Sequence, residues 1–223
     1  EDLVAAGIPR EKVTYIPNFV NKEKWHPLPK EEVLRLREDL GLDQHQFIVV
    51  GAGQVQKRKG IDDFIRLAEE LPQITFIWAG GFSFGGMTDG YEKYKKMMEN
   101  PPKNLLFPGI VTPERMRELY SLADIFLLPS YNELFPMTIL EAASCDAPIM
   151  LRDLDLYKVI LEGNYHATAD KDEMKQSILE YQKNPDSLKE LKEKAKKISR
   201  EYSEEHLLQI WLEFYQEQAA LGR

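Results

Sequence analysis

The sequence predicts an α/β fold, a doubly wound parallel sheet with extra helices at its C-terminal end, on three observations. Short runs that are apolar throughout alternate with amphipathic stretches at helical spacing, the pattern of strands covered by helices on both faces. The residues that fit neither pattern gather where those runs end: Gly51, Gly53, Gly80, Gly81, Gly109, Pro129, Ser130 and Glu133. Sheets of this kind bind ligands outside the carboxyl ends of their strands. After residue 170 the strand signal stops and three helical segments follow.

The elements follow in chain order. EDLVAAGIPR reads as the tail of a helix already under way, as in a piece of a longer protein. VTYIPNFVNKEKWHPLP predicts a strand and then an extended, proline-bearing segment. FIVVGAG (47–53) is a buried strand with a glycine exit, and IDDFIRLAEEL (61–71) a helix with Ile61, Phe64, Ile65 and Ala68 on one face. ITFIWAGG (74–81) is a second strand, and YEKYKKMMEN (91–100) a helix stopped by Pro101 and Pro102. NLLFPGIV (104–111) is a third strand. TPERMRELYSLA (112–123) is a helix with Thr112 as N-cap and Pro113 at its first position. DIFLLPS (124–130) and MTILEAASC (137–145) are the fourth strand and its helix, APIMLRD (147–153) and DLYKVILEG (155–163) the fifth pair, and YHAT (165–168) a short sixth strand. Of the three final helices, the middle one is highly charged and reads as solvated. The last carries Leu207, Leu208, Trp211, Leu212 and Tyr215 at helical spacing.

Composition narrows the class. A net charge of −8 argues against nucleic acid as a partner. One cysteine precludes an internal disulfide and fits a reducing compartment. The chain shows no signal peptide, and no apolar run reaches the roughly 18 residues of a membrane span.

Two stretches carry candidate chemistry. In GAGQVQKRKGID (51–62), glycines flank a turn holding Lys57, Arg58 and Lys59, and a helix starts at Ile61 or Asp62. Helix-start amides beside cations favour an anion, phosphate above all. The plain alternative is a basic surface turn. The glycines match neither G-x-G-x-x-G nor a Walker loop. In SYNELFPMTILEA (130–142), Pro136 separates Glu133, in a loop, from Glu141, in a helix starting near Met137. Paired carboxylates can do acid–base work, bind metal, or accept hydrogen bonds from hydroxyls; alone they also pass for surface or helix-end charges. Opposite a phosphate-binding turn, hydroxyl binding is the better reading. A ligand with a diphosphate and many hydroxyls is a nucleotide sugar. The reading requires the 57–59 turn, Glu133 and Glu141 to converge on a cleft at one rim of the sheet.

The order of these pieces resembles the group 1 glycosyltransferases, retaining enzymes of the GT-B fold. G-x5-KG at a strand exit is followed by a strand ending in AGG, by PGIV, by LADIFLLPS, and by E-x7-E ending in EA. VTYIPNFVN is similar to that family's interdomain segment. The resemblance implies the Rossmann-like half of a GT-B fold. It implies residues 1–20 as a segment from an N-terminal domain of the same protein, 21–200 as the nucleotide-sugar donor domain, and 201–223 as a helix packing back on that partner domain. By motif position Glu141 would accept the ribose hydroxyls and Glu133 a sugar hydroxyl. Amides around Phe135, Met137 and Thr138 would face the diphosphate or sugar, and Lys59 would reach the diphosphate. Gly53 and Gly81 would allow close approach, and Ile110 and Val111 would lie by the base. The catalytic set so implied is Glu133, Lys59 and Arg58. Two positions depart from the family: Gln54 stands where an arginine is usual, with Arg58 as the substitute charge, and ELFP replaces EGFG, so Pro136 removes an amide donor.

GQVQKRKGIDDF, GGFSFGGMTDGY and NPPKNLLFPGIV are most similar to Gram-positive diacylglycerol glucosyltransferases. That implies UDP-glucose as donor, with no cofactor and no metal, and a membrane glycolipid as acceptor. It also implies a cytoplasmic protein, peripheral at the inner membrane face. The isolated domain would bind nucleotide and transfer little sugar. A nucleotide-sugar epimerase of the same architecture and a non-catalytic binding or scaffold domain remain open.

Smaller features read plainly. GGFSFGGMTDG (80–90) is a glycine-rich surface loop, or else it brings Phe82 and Phe84 to the donor or a lipid acceptor. His26, His45, His166 and His206 lack ligand spacing. Cys145, Trp25 and Trp78 read as packing residues, and Met97 and Met98 as a helix face.

Overall fold

Six apolar runs pair into a sheet in the computed structural model, which describes residues 2–82, 85–88 and 90–221. The strands are β1 (Ile48–Ala52), β2 (Thr75–Ala79), β3 (Leu105–Gly109), β4 (Ile125–Leu128), β5 (Ile149–Arg152) and β6 (His166–Thr168). The helices are α1 (Asp2–Ala5), α2 (Lys30–Asp39), α3 (Ile61–Glu70), α4 (Tyr91–Glu99), α5 (Pro113–Leu122), α6 (Met137–Ser144), α7 (Asp155–Leu161), α8 (Lys171–Lys183), α9 (Leu188–Glu201) and α10 (Glu204–Leu221). All strand pairs are parallel, in the order β3-β2-β1-β4-β5-β6. Pro108 sits in the edge strand β3, where a missing N–H is tolerated.

Alternate residues of each strand feed two cores. Ile48, Val50, Phe126, Leu128, Ile149 and Leu151 pack under α5, α6 and α9. Val49, Phe76, Trp78, Ile125, Leu127 and Met150 pack under α3 and α8. In the second core Phe64 meets Phe76 and Trp78 edge-on, with ring centroids 5.4 and 5.0 Å apart. Gly51 lies beneath them: a Cβ there would fall 2.6 Å from the Trp78 ring, so this glycine serves packing and not ligand approach.

Strand order and connectivity fix where a ligand can bind. β1 runs into α3 and on to β2 on one side, while β4 lies on its other side. The exits of β1 and β4 therefore diverge at the topological switch point and open a crevice between them. At the opposite rim, buried Arg37 of α2 donates to the Gln46 carbonyl (2.7 Å) and pairs with Asp124 (3.4 Å). The same Asp124 oxygen accepts from Ile48 N–H (2.9 Å), so this network ties α2 to the starts of β1 and β4.

Two expectations need correction, and one helix was not anticipated. Residues 13–19 form no strand, and the one bridge described beside them is at the next residue, Val20 to Ser203. A β-prone sequence with no neighbouring strand cannot make a ladder. Helix α2, directly after Pro29, is an element not anticipated from the sequence, although Glu31 and Glu32 in its first turn and Gly41 beyond its end mark it. α9 is not merely solvated, because Leu188, Leu191, Ala195 and Ile198 are buried along one stripe. In the glycine-rich loop Phe82 packs edge-on against Tyr91 (4.7 Å); Phe84 lies outside the described residues. Thr112 caps α5 as expected, accepting from Arg115 N–H.

Candidate functional site

The residues after β1 form one tight turn, a single 3-10 turn over Lys57–Lys59 closed by Gly60 in the left-handed region (φ 73°). The residues after β4, from Pro129 to Pro136, are irregular and lead into α6. These two segments are knitted together. Tyr131 N–H donates to the Arg58 carbonyl (2.9 Å), and Arg58 Nη1 donates to the Asn132 carbonyl (2.6 Å). Gly60 approaches Pro129 so closely that a Cβ would lie 2.1 Å from its carbonyl oxygen.

That contact sets the charges. Lys59 Nζ lies 2.6 Å from Glu133 Oε1, and Arg58 Nη1 lies 3.5 Å from Oε2. The Glu133 side chain is only 4% exposed, so the two cations offset the cost of taking a carboxylate out of water. Arg58 is the more open of the pair, at 45%. A groove of about 510 Å³ runs along these residues and is completed by Asn132, Leu134, Phe135, Pro136, Met137 and Thr138. That volume lies within the range of small-molecule sites.

The two helix starts at this rim differ. α3 carries Asp62 and Asp63 in its first turn, which already answer its dipole. α6 has no acid in its first turn and no side-chain cap, so its first amides have no partner within the helix. An anion is therefore better received at Met137 and Thr138 than at Ile61, the helix start that the 51–62 stretch by itself pointed to.

The other predicted residues group as follows. Gly53 (φ 142°) accepts from Trp78 Nε1 (3.1 Å), and the Lys59 chain runs beside it. Gln54 accepts from Gln56 Nε2 (2.8 Å). Gly81 faces Ile110, which is 76% exposed at the exit of β3, and Val111 is half-buried next to it. Phe135 packs against Tyr202 (5.7 Å). Glu141 does not join the Lys59–Glu133 cluster. It sits one turn into α6, on the face of Met137 and Thr138, and accepts from the Tyr120 hydroxyl (3.1 Å). Burial pushes its carboxyl up, against the pull of Tyr120 and Lys24.

Sequence reading missed several participants. Arg152, at the end of β5, donates to the Pro129 and Ala169 carbonyls and pairs with Asp63 Oδ2 (2.5 Å). Tyr131 donates its hydroxyl to the same Asp63 oxygen (2.6 Å), and its ring lies 4.1 Å under the Arg152 guanidinium. Tyr157 is fully buried, and its hydroxyl has no hydrogen-bond partner among the described residues; burial, and then the nearby Glu133 charge, push it up. His166 lies away from the rim's cations and is held by Ser177 and Tyr181. Among the described residues no three His, Cys, Asp or Glu side chains gather as metal ligands would, and no helix is long and apolar enough to cross a membrane.

Comparisons with known proteins agree with this architecture. The family profile described as glycosyl transferases group 1 matches residues 33–198. The alpha-galactosylglucosyldiacylglycerol synthase of Streptococcus pneumoniae (strain ATCC BAA-255 / R6) is 87% identical over 223 residues, all of this chain and 60% of that protein. The processive diacylglycerol alpha-glucosyltransferase of Acholeplasma laidlawii is 36% identical over 128 residues, 57% of this chain and 38% of that protein. This chain thus spans 60% of the first relative's length and 38% of the second's. The crystal structure of Anabaena HepE with UDP-glucose superposes with a TM-score of 0.80 at 19% identity, covering 97% of this chain and 60% of that one. Sucrose-phosphate synthase from Thermosynechococcus elongatus gives 0.77 at 20% identity, covering 92% and 52%. At these identities the two structures speak to the fold.

Proposed function

Since the chain belongs to the group 1 glycosyl transferases, we propose that it is the donor-binding part of a retaining hexosyltransferase that takes its sugar from UDP-glucose and passes it to a diacylglycerol glycolipid. The observation that carries the reading is the meeting of Lys59, Arg58 and buried Glu133 beside the uncapped start of α6, at the switch point of the sheet. A donor diphosphate would take Lys59 and Arg58 as partners, with the amides of Met137 and Thr138, and this set would stabilise the charge that grows on the leaving diphosphate. Glu133 would then turn to a sugar hydroxyl and Glu141 to the ribose, both orienting the donor. Protein cations would do the work that a metal does elsewhere.

The acceptor side, an N-terminal domain of the same protein and attachment at the inner membrane face belong to the same proposal and draw on the relatives' names. The pneumococcal relative's name describes a galactosyl group on glucosyldiacylglycerol, so UDP-galactose is the second donor to test. Thermal unfolding with UDP, UDP-glucose, UDP-galactose and GDP tests the reading. A ligand at about 100 times its dissociation constant adds about 2.7 kcal/mol, roughly 5–10 °C for a chain of this size. No shift with any uridine nucleotide at millimolar concentration would rule the donor role out.

A further inference from the structure

The segments that carry Lys59 and Glu133 are held by a polar cluster lying behind them. Asp63 and Arg152 are charged and nearly buried, with side chains 9% and 10% exposed. A pair that served the core alone would not aim its remaining groups at loops. Here the Arg152 Nε donates to the Pro129 carbonyl (3.1 Å), its guanidinium covers the Tyr131 ring, and the Tyr131 hydroxyl returns to Asp63 (2.6 Å). Asp63 is in the first turn of the helix that follows the cationic turn, and Tyr131 is two residues before Glu133. Tyr131 N–H also donates to the Arg58 carbonyl. The cluster thus grips both sides of the Lys59–Glu133 gap, and the segment between Pro129 and Pro136 has no regular structure of its own to set that gap.

We propose that Arg152, Asp63 and Tyr131 are positioning residues that fix the gap between the Lys59–Arg58 turn and Glu133, and thereby set the affinity for a nucleoside diphosphate; the affinity half rests on the donor-binding reading above. Pre-set geometry of this kind lowers the ordering needed when a ligand arrives. None of the three lines the groove itself. The arginine fork cannot be replaced by lysine, which lacks its planar set of donors.

The test uses Tyr131→Phe, which removes the hydroxyl and keeps the ring on Arg152, and Arg152→Lys, which keeps the charge and loses the fork. Hydrogen exchange of the ligand-free chain is followed in segments 57–60 and 130–137, and UDP and UDP-glucose affinities are measured by calorimetry well below the unfolding temperature. The expected result is faster exchange in both segments, unchanged exchange in β1 and β4, and about tenfold weaker UDP binding for each variant, equivalent to about 1.4 kcal/mol. A purely structural cluster would lower the urea midpoint while leaving exchange in these segments and affinity of the folded protein as in wild type, and that result would overturn the proposal. If wild type bound no uridine nucleotide, the donor reading and the affinity half would fall together. The exchange arm would still judge the tether, and unaltered exchange in Tyr131→Phe would overturn it.

Discussion

Gly60→Ala strikes the point where the cationic turn and the Glu133 loop press together. Gly60 has φ 73°, and the added Cβ would lie 2.1 Å from the Pro129 oxygen and 2.6 Å from its carbonyl carbon. Both atoms are backbone, so neither can swing aside as a side-chain tip would. The loop must retreat by more than about 1 Å to restore ordinary contact, and overpacking on this scale costs about 1–3 kcal/mol. The left-handed backbone adds about 1–2 kcal/mol for a residue with a Cβ. Reduced freedom of the unfolded chain gives back about 0.4–1 kcal/mol. The net loss should be about 2–4 kcal/mol, a fall of roughly 4–16 °C in Tm. Gly41→Ala is the control: Gly41 has φ 67° with nothing within 4 Å of the added Cβ, so only the backbone contribution remains, about 1 kcal/mol or less after the unfolded-state gain. Urea unfolding of both variants at constant m-value reads the difference, and UDP calorimetry reads displacement of Glu133 from Lys59. If Gly60→Ala lost no more stability than Gly41→Ala, the claimed apposition of the two loops would be wrong.

Other changes probe separate parts of the site. Lys59→Met should destabilise by about 2–3 kcal/mol, below the usual range for a broken buried pair because Arg58 remains beside Glu133; adding Glu133→Gln should recover part of that loss in a double-mutant cycle by urea unfolding. Burial raises the Glu141 carboxyl, so the folded state holds that proton more tightly than the unfolded chain does. Ionising Glu141 therefore opposes folding, and the penalty sets in as pH rises from the unfolded carboxylate value of about 4.3 through the higher folded one. Glu141→Gln, which can still accept from Tyr120, should gain stability over wild type at pH 7, match it near pH 4, and bind UDP about tenfold more weakly, a loss of about 1.4 kcal/mol; a pH-independent stability difference would contradict the buried-charge argument. Burial pushes the Cys145 thiol up to about 12, so iodoacetamide at pH 8 should leave it unmodified until guanidinium unfolds the chain, as mass spectrometry would show.

The strands were legible because positions buried on both faces favour apolar side chains, and β1, β2, β4 and β5 are buried at every position, with Thr75 and Arg152 at strand ends as the polar exceptions. The helix starts were legible where a cap announced them, as at Thr112. Helix α2 carries only a half-buried stripe, Val33, Leu36 and, just past its end, Leu40, against the core, and that spacing says nothing of Arg37, its buried residue, which reaches Asp124, 87 positions away. The 13–19 stretch misled in the opposite direction, having strand composition without a strand to pair with. At the site, the chain showed a basic turn and two separated acids, and the family resemblance singled out Lys59 and Glu133 among them; their contact spans 74 positions and no periodicity encodes it. Arg152 was wholly hidden. Its letter sits at the end of an apolar run, and its meaning comes from Asp63, 89 residues earlier, which strand order alone brings alongside.

The indole of Trp78 gives the molecule an optical readout of its own rim. It is enclosed on all sides, and its N–H is tied to the carbonyl of Gly53, the residue at which β1 leaves the sheet towards the cationic turn. A rotation of that peptide lengthens the bond and changes the polarity felt by the chromophore. With Trp25 and Trp211 replaced by phenylalanine, the emission maximum and lifetime of one buried fluorophore would follow events in the crevice without any attached dye.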